Sequence, residues 1–77
     1  NQKIKVIQFE YGPMNIESRT FLKDFYDFLG PNGYQIGKLY PDGVEFCEYC
    51  YQLDDFKWAN YVAVLHSEKQ IIDKISV

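Results

Sequence analysis

Lys5-Val6-Ile7-Gln8-Phe9-Glu10-Tyr11-Gly12 is the stretch on which the fold turns. A short apolar run closed by the Gly12-Pro13 pair has the pattern of a strand, over residues 4–10, covered on both faces. Glu10 stands where the run gives out. Ligands of open α/β sheets collect at the carboxyl ends of the strands. Glu10 is therefore the first residue to consider for chemistry.

Outward from this strand the chain alternates in type. Gly12 to Glu17 carries turn chemistry. Ser18 to Leu29 reads as one helix: Phe21, Leu22, Phe25, Phe28 and Leu29 share a stripe, and Lys23, Asp24 and Asp27 lie off it. Asn15 or Ser18 is placed to cap its start. Gly30-Pro31-Asn32-Gly33 ends it, because proline cannot continue a helix. Tyr34 to Tyr40 alternates as a second strand, which completes a strand–helix–strand unit with a right-handed crossover. Pro41-Asp42-Gly43 is a turn, and Val44 to Cys50 is extended, folding back on Tyr34 to Tyr40 as a hairpin. Asp54-Asp55-Phe56-Lys57 reads as a solvated loop. Trp58 to His66 is the last strand, apolar on both faces and therefore central. Ser67 to Ser76 reads as a short helix with a Ser67–Gln70 capping box.

The totals bound the partners. Seventy-seven residues make at most one domain, and a chain of this length buries only roughly 60% of its unfolded surface. The net charge is −3 with no cluster of Lys or Arg, so the footprint for nucleic-acid binding is missing. No apolar run approaches the ~20 residues that span a bilayer. The opening Asn1-Gln2-Lys3-Ile4 lacks an apolar leader and an initiator Met, which points to a cytoplasmic segment of a longer protein. An aromatic fraction of 18% is high, and such side chains need covering by this core or by neighbouring protein. Tyr49, Tyr51, Phe56 and Trp58 concentrate it before the last strand, as a packing surface or as an acceptor wall. Cys47 and Cys50 form a C-x-x-C in an extended stretch, far in sequence from the lone His66. Two ordinary reduced thiols suit this setting better than zinc or a redox pair.

The order strand, helix, strand, excursion, strand resembles the last third of a class I S-adenosylmethionine-dependent methyltransferase. Four pieces are similar to the FkbM family: Ile7 to Gly12, Leu22 to Tyr26, Gly33 to Leu39, and Trp58 to Val64. The resemblance implies an α/β fold, the C-terminal part of a Rossmann-like methyltransferase sheet. Its last strand would be antiparallel and central. Residues 1–77 would then form a partial domain whose partner is the N-terminal remainder of the same enzyme. That remainder would hold S-adenosylmethionine; no G-x-G-x-x-G is present here, and the piece alone is expected to bind no cofactor and no metal. The parent would methylate a hydroxyl of a small molecule of sugar or polyketide type.

Topology then places Asn60 beside Glu10, with Tyr40 on the same rim. Glu10 would orient or deprotonate an acceptor hydroxyl, or else tie strand ends together. Asn60 and Tyr40 would bind substrate. Tyr11, Asn15 and Arg19 follow the strand end and could line the acceptor pocket. The alternative is a non-catalytic βαββ interaction module that binds protein or carbohydrate through an aromatic face.

Overall fold

The computed structural model describes residues 4–77. Four strands form one sheet: β1 (Val6–Tyr11), β2 (Tyr34–Tyr40), β3 (Gly43–Phe46) and β4 (Ala59–Leu65), in the spatial order β1-β4-β2-β3. Every neighbouring pair is antiparallel. It follows that β1 and β2 run parallel to each other, with β4 reversed between them. The helices are α1 (Met14–Ser18), α2 (Leu22–Leu29) and α3 (Lys69–Ile75), and a 3-10 turn spans Tyr51–Leu53. No helix among the described residues is long and apolar enough to cross a membrane.

β4 is central because its sequence tolerates burial on both faces. Tyr61, Val62, Ala63 and Val64 are all buried. On one side Tyr61 and Ala63 join Tyr11, Leu22, Leu29, Tyr34 and Ile36, with α2 as the cover. On the other, Val62 and Val64 join Val44 against Ile71, Ile72 and Ile75 of α3. β1 departs from the expectation of a strand covered on both faces. Ile7 and Phe9 face the α2 side, whereas Val6, Gln8 and Glu10 are exposed. The α3 isoleucines pack on Val44, Val62 and Val64, and the face of β1 that carries Val6, Gln8 and Glu10 stays exposed.

The helix expected over Ser18 to Leu29 is broken in two. Arg19 takes a left-handed conformation (φ 57°) that closes α1, and the Thr20 N–H donates to the Asn15 carbonyl at 2.9 Å. Thr20 and Phe21 are weak helix formers, and the chain restarts at Leu22 where a carboxylate from elsewhere caps it. α3 also starts later than expected. It begins at Lys69 with no side-chain cap, so the Ser67–Gln70 box does not form. Val44 to Cys50 pairs with β2 only through Phe46, plus one further bond from the Cys47 N–H to the Ile36 carbonyl at 3.1 Å.

Two glycines hold the hairpin side together. Gly43 turns the hairpin at φ +147°, which a side chain would resist. Gly37 is needed for space: a Cβ there would lie 2.5 Å from Val44 Cγ1 and 2.7 Å from the Glu45 carbonyl oxygen. Because the second obstacle is backbone, the hairpin must shift as a unit. We expect Gly37→Ala to cost about 1–3 kcal/mol, the usual penalty of overpacking, read as a lower urea midpoint at unchanged slope.

Candidate functional site

The end of β1 and the start of β4 build one rim. In the β1–β4 register Glu10 stands directly opposite Asn60, so their Cβ atoms are about 5 Å apart on one face. Glu10 is exposed and Asn60 half-buried. Among the described residues the Glu10 carboxylate has no ion pair or side-chain hydrogen-bond partner. An acid and an amide side by side, both reachable from solvent, can bracket a hydroxyl or an amine.

Tyr40 lies at this end of the sheet but on the other face. Lys38 pairs with Tyr61, and strand alternation puts Tyr40 on Lys38's side and Asn60 opposite. The Lys38 ammonium stands 5.7 Å from the Tyr40 ring centre on that side. The expected convergence of three polar side chains is thus a pair, Glu10 and Asn60, with Tyr40 behind the sheet. Asn15 is buried, and its side-chain oxygen accepts the Gly12 N–H at 3.0 Å. It is a local cap rather than a pocket wall. Arg19 is exposed on the turn after α1.

Tyr11 is fully buried, and its hydroxyl is fully employed. It donates to Asp54 Oδ1 at 3.0 Å and accepts the Phe56 N–H at 2.9 Å. Phe56 sits at φ 57°, unusual for a bulky residue, and this bond helps hold it there. Asp54 is the centre of the arrangement. Its carboxylate also accepts the Leu22 N–H at 2.5 Å, the Lys23 N–H at 3.2 Å, and the Tyr49 hydroxyl. Two of these donors are the first N–H groups of α2, which have no partner within the helix. Asp54 is therefore a long-range helix cap and not the solvated loop residue that its Asp-Asp sequence implies. Burial pushes the Tyr11 and Tyr49 phenols up to about 12, with a further contribution from the Asp54 charge. Partial burial pushes the Asp54 carboxyl up, but the bonds from Tyr49, Leu22, Tyr11 and Lys23 outweigh it and hold the group below its ordinary value.

This anchoring fixes the excursion between β3 and β4, and so the start of β4. It also places Trp58, which precedes Asn60 by two residues. The indole lies over Gly12, where a Cβ would meet Trp58 Cε3 at 2.9 Å, yet the residue is 67% exposed. Trp58 is thus a stacking surface at the rim. In the sequence only its position between the excursion and β4 hints at this, since the partner Gly12 is far away along the chain.

Cys47 and Cys50 are both free and exposed. Among the described residues no three His, Cys, Asp or Glu side chains are grouped to hold a metal ion. The one glycine that follows a strand at this rim, Gly12, has its open side filled by the indole. Compared with family models, with curated proteins and with solved structures, the chain gives no significant match.

Proposed function

We propose that this chain is the C-terminal part of an S-adenosylmethionine-dependent O-methyltransferase of FkbM type, acting on a hydroxyl of a small molecule. One observation carries the reading: a reversed strand, β4, lies between two parallel strands joined through helices, and its start is in register with the acid that ends the first strand. Class I methyltransferase sheets close with this order. The outer edge of β1 supports it further. No described strand pairs with that edge, and bare edges are normally blunted or covered. Next to it, Thr20, Asp24, Phe25 and Phe28 line a groove of about 220 Å³. Phe25 stacks on Phe9 of β1 at 4.5 Å, while Phe28 is 69% exposed. An edge and an apolar groove side by side suit a sheet that continues past β1 with its own covering layer.

In this reading the chain supplies the acceptor side of the reaction. Glu10 takes the hydrogen bond, and then the proton, of the acceptor hydroxyl. Asn60 holds that hydroxyl from the neighbouring strand, and Trp58 offers its exposed ring to the acceptor's body. The methyl donor is the business of residues outside this chain.

The test is calorimetry with S-adenosylmethionine on the 77-residue chain and on the complete open reading frame that contains it. Binding to the longer protein alone is the expected result. A reading frame that begins at Asn1, or a longer protein that ignores the cofactor, overturns the reading. The groove and aromatic rim would then belong to an interaction module.

A further inference from the structure

A second cavity lies at the opposite end of the sheet, where β2 begins and β4 ends, and the proposed methyltransferase activity makes no use of it. Its volume is about 430 Å³, within the range of small-molecule sites. Tyr26, Tyr34, Tyr49, Ile36 and Phe46 are among its lining residues, with Ile36 belonging to the cluster on the α2 side of the sheet and Phe46 to that on the α3 side. The three phenol hydroxyls are already committed. Tyr26 donates to the Cys47 carbonyl at 3.2 Å, Tyr34 to the Ile4 carbonyl at 2.5 Å, and Tyr49 to Asp54. With their protons spent, the three phenols can still accept a hydrogen bond but have none to donate, so toward an incoming group they offer acceptor oxygens and ring surface. Tyr26 and Tyr49 pack on each other, ring centres 5.4 Å apart and tilted at 60°, so the two rings border the cavity as one aromatic pair.

The charge of the lining is one-sided. Glu48 is on it, no Lys or Arg is, and His66 is engaged with Gln35 through Nδ1 at 3.2 Å. An anion would meet the Glu48 carboxylate with no counter-charge. A cation would meet both that carboxylate and the electron-rich faces of tyrosine rings, which attract ammonium groups within about 6 Å.

We propose that this cavity binds a small organic cation, an alkylated ammonium carried on an aromatic or alkyl body, with Glu48 as its counter-ion and Tyr26 and Tyr49 as its aromatic walls.

Benzyltrimethylammonium is the probe, with benzyl alcohol and benzoate as the neutral and anionic matches. In amide-resolved NMR titrations of the 77-residue chain, the cation should shift Cys47 to Tyr49 and His66 saturably. It should bind more tightly than the alcohol, and benzoate more weakly than both. Glu48→Gln, an exposed change that leaves the core untouched, should weaken the cation about 2- to 5-fold, as loss of an exposed ion pair does, and leave the alcohol unchanged. Bound cation should also slow alkylation of Cys47, which lines the cavity, and not of Cys50, which does not. Equal binding of benzoate, shifts outside the lining, or a Glu48→Gln variant that still prefers the cation by the same factor would each overturn the proposal.

Discussion

Asp54→Ala should be the most destabilising single substitution in the loops of this protein, at about 3–4 kcal/mol in urea unfolding. The carboxylate accepts bonds from two backbone N–H groups and two phenols across sequence distances of 5 to 43 residues. Hydrogen bonds to a charged group contribute about 1.5–3 kcal/mol each, and losing a helix cap alone costs about 1 kcal/mol. Compensation by water limits the sum, since Lys23 is exposed and its bond is the longest. A domain of this size has a total stability of the order of 5–10 kcal/mol, so the variant would sit near the edge of folding. Asp54→Asn separates charge from shape. It keeps one acceptor oxygen for Leu22 and should lose only about 1–2 kcal/mol.

The same residue sets an acid limb on the stability curve. Its carboxyl is held below the unfolded value, so the folded state binds the proton less readily than the unfolded chain. The stabilisation is complete above the unfolded pKa, about 3.9. It falls away as the pH drops below that value toward the depressed folded one. Urea midpoints measured from pH 6 down to pH 2 should therefore decline more steeply in the native protein than in Asp54→Asn. Parallel curves would show that other carboxylates carry the acid sensitivity.

Asp54 also marks where the sequence stopped being legible. The strands could be read because their information is local: alternation in Tyr34 to Tyr40 and the doubly apolar run in Tyr61 to Val64 specify face and centrality by themselves. The centrality of β4 followed from its being apolar on both faces; its antiparallel place beside β1, and with it the Glu10–Asn60 pairing, came from the resemblance to the methyltransferase sheet. The cap on α2 is not local. It arrives from 32 residues away at Leu22, and an Asp-Asp pair in a polar loop gives no sign of its target. The same holds for the break at Arg19. The stripe from Phe21 to Leu29 reads smoothly into a helix that begins at Ser18, and the restart at Leu22 is held by the distant Asp54 together with Asp24, which accepts the Phe21 N–H at 2.7 Å. Trp58 over Gly12 and the tying-off of Tyr11 are likewise contacts between segments that no periodicity connects. The faces of β1 escape local reading for a related reason. An apolar run shows that a strand can be buried, but whether anything lies over Val6, Gln8 and Glu10 depends on how far α3 extends.

Glu10→Gln in the complete protein should lower kcat by about 100-fold or more, within the usual range for removal of a positioned general base, while leaving the unfolding midpoint where it was. The two halves of this expectation come from different observations. Glu10 is exposed and has no ion pair among the described residues, so the neutral amide removes nothing the fold depends on; surface changes of this kind stay within about 0.5 kcal/mol. A structural carboxylate would give the opposite pattern, lost stability with turnover intact. Asn60→Ala provides the complementary readout. An amide that only holds the acceptor hydroxyl should raise KM more than it lowers kcat, and the paired register of the two residues predicts that the double variant loses less than the product of the two single effects. Unchanged kcat in Glu10→Gln would remove the carboxylate from the reaction. Strict multiplicativity of the two changes would mean that the residues, although opposite one another on adjacent strands, do not meet on the same substrate atom.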